Sequence, residues 1–304
     1  MKKETNLTKS VTSGTRGFPF AYIADQWLAE KKKEVKESSF YQYYRIVHRI
    51  IKPRWEALYI DEIDERTLTG FGEDLFAKYK VKTARSIIVT VNRILEYSYK
   101  RGYIPYRQKV SSKAKNGKIS HPKVFTNSEQ VILTAYLLDK CDLKKLGVLI
   151  CLYSGLRLGE ICGLRWSDVD LRNGILKVQR TIQRISDGTG NTYFSIGTPK
   201  SEHSEREVPI PSFLQVLLSK ECTANDYYVT TGLPEFTQTR TYQNNLKRYF
   251  RECELPNYHF HSLRHTFASR AIELGFDPKT LSEILGHANV KITVNVRNPH
   301  TNKM

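Results

Sequence analysis

The sequence predicts a mostly α protein of the α+β kind. A small four-helix domain comes first, and a larger mixed domain with a small antiparallel sheet follows. Three observations carry this. Apolar residues recur at helical spacing over most of the chain. The pattern shortens to strand-like alternation only between residues 174 and 211. A run without any acidic residue, Tyr97 to Ser128, lies between the two regions.

Residues 1–17 are polar and read as a flexible tail. A helical domain is expected over 18–104. Its first helix, "FAYIADQWLAEKKKEVK", puts Tyr22, Ile23, Trp27 and Leu28 on one face. "SSFYQYYRIVHRIIKPRW" supplies the second, with Ser38 or Ser39 as N-cap and Pro53 as stop. "IDERTLTGFGEDLFAKY" gives the third, capped by Asp64. The fourth, "TARSIIVTVNRILEYSYKRGY", is rich in β-branched residues. It is still a helix, because Ile87, Val91, Ile94, Leu95 and Tyr99 keep the spacing and Gly102 closes it. A basic linker over 105–125 is expected next. Lys100, Arg101, Arg107, Lys109, Lys113, Lys115, Lys118 and Lys123 fall in the acid-free run. They form either a solvated connector or a strap along a phosphate backbone, and unbalanced basic charge favours the strap.

The mixed domain, 126–304, opens on a capping box of Thr126 and Glu129. Helices continue through "KKLGVLICLYSGLRLGEICGL". Three short strands follow in "GILKVQRTIQRI", "TYFSIG" and "REVPIP", with "SDGTGN" as a turn. Helical patterns return in "SFLQVLLSKE", "TRTYQNNLKRYFREC", "HSLRHTFASRAIELG" and "DPKTLSEILG".

The 48 basic and 31 acidic residues leave a net charge of +17. Such an excess calls for a polyanion, nucleic acid before an acidic membrane surface. No apolar run approaches the roughly 20 residues that cross a bilayer, and the first residues lack the apolar stretch of a secretory signal. The five cysteines are far apart and form no C-x-x-C, which suits a reducing cytoplasm.

"HFHSLRHTFASR", residues 259–270, gathers three histidines and two arginines. His261 and His265 have the spacing of a metal pair on one helix face. Arg264 lies on the same face, and its fixed charge repels a cation but grips a phosphate. No H-E-x-x-H glutamate or third ligand is in register, so an anion is expected and no metal. His265 reads as a helix histidine that packs inward. A phosphoryl-transfer site needs several fixed cations. Arg157 in "SGLRLGEICGLRW", Lys200 in "GTPKSEHSEREVPI" and His287 in "EILGHANV" are candidates.

The order "SGLRLGEI", "TPKSEHSEREVPI", "HSLRHTFAS", "LGHANVKITVNV" resembles the tyrosine recombinases, the phage-integrase group. The likeness is closest to integrases of conjugative transposons and temperate phages. It implies that residues 20–103 form a core-binding domain and 126–304 a catalytic domain. Arg157 and Arg264 would clamp the non-bridging oxygens of the scissile phosphate. Lys200 would protonate the leaving 5′ oxygen, His261 would assist proton transfer or hold the phosphate, and His287 would donate a further hydrogen bond. Glu160 would orient Arg157, and His265 would pack. The substrate would be double-stranded DNA at attachment or crossover sites. In such enzymes a tyrosine attacks the phosphate to form a 3′-phosphotyrosyl link, so neither cofactor, ATP nor metal is needed.

One position departs from the pattern. The tyrosine is expected ten residues after His287, where Arg297 stands, and a guanidinium is no nucleophile. The last tyrosine is Tyr258, and His300 is a poor substitute. "RNPHTNKM" is also short for the segment that docks on a neighbouring protomer in this family, which weakens the expected homo-oligomer on DNA. Three origins are open: a frameshift or early end after Val296, a DNA-binding decoy or regulator of an integrative element, or a tyrosine supplied in trans. A type IB topoisomerase relative shares the chemistry, but the small helical first domain favours the integrase form.

Overall fold

The computed structural model describes residues 17–111, 123–188, 190–197, 205–287 and 289–290. The chain is mostly helical with small antiparallel sheets. It divides into two compact units, one holding the described residues up to 111 with Ile185–Thr192, the other the remainder.

The first unit contains α1 (Phe20–Glu34), α2 (Glu37–Ile46), α3 (Lys52–Trp55), α4 (Glu65–Lys78) and α5 (Val81–Lys100). A wide π turn over Val47–Ile51 joins α2 to α3, so the backbone stays helical from one to the other. Two local expectations are corrected here. Neither Ser38 nor Ser39 caps α2. Lys36 is the N-cap, its carbonyl accepting from the N–H of Ser39 and Phe40, and Glu37 brings its charge to the positive helix end. Pro53 does not stop the helix. The Lys52 N–H reaches back to the Val47 carbonyl, and Pro53 then sits in the first turn of α3, where a missing N–H costs nothing. Asp64 does cap α4, accepting from the Thr67 N–H at 2.7 Å.

The core of this unit is Phe20, Ile23, Ala24, Trp27 and Leu28 of α1 against Ile87, Val91, Ile94 and Leu95 of α5. Trp55 packs edge-on to Phe20 at 5.1 Å and tilted on Phe71 at 4.6 Å. Tyr22 and Tyr99, expected on these faces, are exposed instead, because Tyr22 falls on the side of α1 opposite its buried stripe and Tyr99 at the margin of that of α5. Beyond α5, Ile104 and Val110 are buried in the same core, and the Val110 N–H donates to Asn92 Oδ1 at 2.7 Å.

The second unit is built on α7 (Leu143–Ser154), which is apolar all round and buried from Leu146 to Leu152. A helix without a polar face must be enclosed. It packs with α6 (Asn127–Leu138), α9 (Ser212–Glu221), α10 (Thr239–Glu252) and α11 (His261–Glu273). α8 (Leu158–Gly163) follows α7 directly, and α12 (Pro278–Leu285) packs on α11. The Thr126–Glu129 capping box opens α6.

Five strands are described where three were expected: β1 (Val169–Asp170), β2 (Ile175–Val178), β3 (Thr181–Ser186), β4 (Thr192–Gly197) and β5 (Arg206–Pro209). They form two sheets, β1-β2-β5 and β3-β4. The stretch read as one strand, 174–185, breaks at Gln179–Arg180, where the Arg180 guanidinium turns onto the buried carboxylate of Asp168. In the first sheet Leu176 faces Val208 and Val178 faces Arg206. Among the described residues, no helix is long and apolar enough to cross a membrane.

Candidate functional site

Within the second unit, the end of α12 is the meeting point. Gly286 closes the helix in the left-handed conformation at φ +61°. Its N–H returns to the Glu283 carbonyl and that of His287 to the Ser282 carbonyl, a Schellman ending. Such an ending leaves the last carbonyls outward, carrying the negative end of the helix dipole. Three arginines from three other elements take them. Arg206 Nε donates to the Ile284 carbonyl at 2.6 Å, Arg264 Nη2 to that of Leu285 at 2.5 Å, and Arg157 Nη2 to that of Gly286 at 2.8 Å.

Each arginine is set by its own element. Arg157 is the N-cap of α8, two residues past Gly155, which ends α7 at φ +68°. A side chain at 155 would strike the Phe267 ring, so only glycine lets α7 close there. The freed Gly155 carbonyl accepts from Arg264 Nη1 at 2.8 Å. Arg264 lies on α11 one turn after His261 and is buried. Burial, then the charge of Arg157, lowers its pKa to about 9.

Glu160 is the counter-charge, with a side chain only 2% exposed. It accepts four hydrogen bonds. Oε1 takes Arg157 Nη1 at 2.6 Å and Arg206 Nη1 at 3.1 Å, while Oε2 takes the Arg157 N–H at 2.8 Å and Arg206 Nη2 at 2.9 Å. Burial by itself would raise the pKa of this carboxyl. The hydrogen bonds and charge of Arg206, with the charge of Arg157, overcome that and bring it to about 2. Three guanidiniums against one carboxylate leave the cluster positive.

The histidines feel that excess. Burial, then His265, Arg264 and Arg157, lowers His261 to about 4. Burial, then Arg264 and Arg157, lowers His287 to about 4. Both are neutral imidazoles near pH 7 in the absence of an anion. His265 is half-buried with its ring edge-on to His261, centroids 4.5 Å apart, and its pKa is lowered by burial and then by Arg264. Chemically the arrangement suits an anion: rigid donors, excess positive charge, and two imidazoles whose protonation an anion would favour. Among the described residues, no group of three or more His, Cys, Asp or Glu could hold a metal ion.

The structure thus brings Arg157, Glu160, His261, Arg264, His265 and His287 into one region. Lys200 and Arg297 lie outside the described residues, as do Lys113, Lys115 and Lys118. The acid-free run has partners elsewhere in its unit. Lys100 and Arg107 each lie 3.6 Å from Glu96 Oε1, and Arg101 pairs with Glu30. Lys109 and Lys123 are exposed.

Arg206 was missed by sequence reasoning. Its signal lay in the strand alternation of "REVPI", which puts Arg206 on the same face as Val208 and Ile210, toward the core. A core-facing arginine is rare enough to demand a carboxylate.

A sheet-bearing helical unit that carries such a cationic cluster, in a chain with a second, helical unit, defines a class that comparison with known proteins makes specific. The phage integrase family model matches residues 125–302, and that of the phage integrase central domain matches 20–112. The chain belongs to the phage integrase family. A tyrosine recombinase XerC-like protein of Caldanaerobacter subterraneus is 34% identical over 169 residues, covering 49% of this chain and 43% of that one. The transposase from transposon Tn916 of Enterococcus faecalis is 30% identical over 166 residues, covering 49% of this chain and 40% of its own. The matches therefore span less than half the length of these two relatives. Among solved structures, the Tn1549 transposon integrase in complex with a circular intermediate DNA superposes with a TM-score of 0.75 at 19% identity, covering 93% of this chain and 95% of that one. At that identity the likeness is one of fold.

Proposed function

We propose that the chain is a site-specific DNA recombinase of the integrase type by descent, binding double-stranded DNA in the bacterial cytoplasm. Arg157 and Arg264 hold the non-bridging oxygens of one phosphodiester, and His287 donates a further hydrogen bond. His261 holds the phosphate or moves a proton, Lys200 protonates the leaving 5′ oxygen, and Glu160 orients Arg157. Lys109, Lys113, Lys115, Lys118 and Lys123 run along the backbone, joined by Lys100, Arg101 and Arg107 where DNA displaces their exposed carboxylate partners, since such pairs hold weakly. The observation that carries the reading is the convergence of Arg157 and Arg264 on the last carbonyls of α12, immediately before His287. The relatives are named as a recombinase and a transposase, and the solved integrase is a DNA complex, which agrees with DNA as substrate.

Fixing the donors before the substrate arrives removes reorganisation from the reacting step. A phosphodiester entering the cluster meets N–H groups already oriented, and its charge raises the pKa of both imidazoles. His261 and His287 then become donors to phosphate oxygens, where charge builds in a pentacoordinate transition state.

The chain by itself is cleavage-deficient in this reading, because Arg297 stands ten residues after His287 where the attacking tyrosine belongs. That position favours a second reading, a DNA-binding regulator or decoy of an integrative element. Both readings share DNA binding and part at the covalent step. The test selects a preferred duplex from a random library, then presents it with a nick beside each candidate scissile phosphate. Binding that falls steeply with salt and yields no SDS-resistant adduct is expected. An adduct overturns the cleavage deficiency, and salt-insensitive binding overturns both readings.

A further inference from the structure

We propose that Arg206 is a positioning residue for the phosphate site, locking Arg157 and His287 into one register through Glu160 and the end of α12. The inference rests on the proposed phosphodiester-binding role of that site. Arg206 is more deeply buried than Arg157. Its side chain is 6% exposed, against 35% for Arg157. It donates to two separate elements. The planar fork grips both Glu160 oxygens, at 3.1 and 2.9 Å, while Nε holds the Ile284 carbonyl at 2.6 Å.

Each grip bears on a different phosphate-facing group. Glu160 also accepts from the Arg157 backbone N–H and from Nη1, so fixing its carboxylate plane fixes the start of α8 and the Arg157 guanidinium. Ile284 lies two residues before Gly286, whose carbonyl takes Arg157 and whose successor is His287. Arg206 also lies flat against Gly286, with Cδ, Nη1 and Nε 3.1 to 3.3 Å from where a Cβ would stand. One guanidinium therefore sets the distance between α8 and the helix end that carries His287. β5 supplies the rigid base, since Arg206 is registered against Val178 in the sheet.

Lysine cannot reproduce this. It carries the same charge but has no fork and no Nε, so it cannot bond Glu160 at both oxygens and the Ile284 carbonyl together. That separates positioning from mere charge balance. The test uses the full chain with ring-labelled histidines and dimethyl phosphate, a phosphodiester that stays singly charged. The His261 and His287 resonances are assigned by substitution and followed through the titration. Arg206→Lys is the main variant and Arg206→Met the second. Arg180→Met, which breaks the buried pair to Asp168 in the same unit, controls for general loosening.

Wild type is expected to show saturable shifts of both imidazoles. Both Arg206 variants should bind about tenfold or more weakly, in line with the usual effect of losing a partner that orients ligating groups. Arg180→Met should lower the melting temperature and leave the phosphodiester response intact. Full retention of binding in Arg206→Lys overturns the positioning role, and so does an equal loss in Arg180→Met. If wild type itself gives no shift at either histidine, the phosphate site fails and not the role of Arg206 within it.

Discussion

Replacing Glu160 by glutamine keeps the side chain's shape and removes its charge, and the structure sets the size of the effect. The carboxylate accepts four hydrogen bonds from Arg157 and Arg206. Glutamine turns one of the two oxygens into a donor that faces guanidinium N–H groups, and three arginines lose their counter-ion. The pKa of Glu160 falls from 4.5 to about 2. At about 1.36 kcal/mol per unit this corresponds to about 3 kcal/mol of stabilisation in the ionised state. Breaking a buried ion pair from one side costs a similar ~3–5 kcal/mol. For a unit of this size the melting temperature should drop by roughly 6–12 °C at pH 7. Differential scanning calorimetry of the full chain reads it directly. Because the folded-state pKa is depressed, the wild-type advantage is complete above about 4.5 and is lost as the pH falls toward about 2, so the two proteins should converge in acid. Millimolar sulfate should restore more stability to Glu160→Gln than to wild type, since an anion replaces the missing charge. A drop under about 2 °C at pH 7, with no differential effect of sulfate, would refute the account of a cationic cluster balanced by one carboxylate.

Three further outcomes are expected. Dimethyl phosphate affinity should rise as pH is lowered from about 7 to about 5, by up to about tenfold per unit for each imidazole that takes up a proton. His261 and His287 titrate near 4 without the anion and higher with it, and flat affinity over that range, measured by calorimetry, contradicts this. Arg264→Met should leave the Gly155 and Leu285 carbonyls without their donor, abolishing the histidine response to phosphodiester and costing ~2–4 kcal/mol in urea unfolding. Trp55→Ala should destabilise the first unit by ~3–5 kcal/mol while leaving phosphodiester binding by the second unit unchanged, because Trp55 is 2% exposed and packed between Phe20 and Phe71.

The helices were legible because their signals are local. Asp64 bonds the N–H three residues on, and Thr126 and Glu129 close a box within one turn. The failures have local causes too. Ser38 and Ser39 both suit a cap by residue type, yet the nearby Lys36 carbonyl already begins the helix. Pro53 suits a stop by residue type, but the π turn before it places it in a fresh first turn. The stretch 174–185 is rich in β-branched and apolar residues at strand spacing on both sides of Gln179–Arg180, and nothing in that pattern says which sheet each half joins.

The sequence by itself determined the locally capped helix starts at Asp64 and Thr126, most of the apolar faces that are enclosed, and the segments that carry the arginines and histidines. Those properties depend on bonds and spacings within a turn or two. Only the tertiary structure decided that Arg157, Arg206 and Arg264 share the three last carbonyls of one helix, and that Glu160 answers to Arg206 as well as to its neighbour Arg157. These bonds join groups 46, 78 and 129 residues apart, a separation at which no local spacing survives. A buried charge must find its partner wherever packing brings one close, and packing is a property of the whole unit.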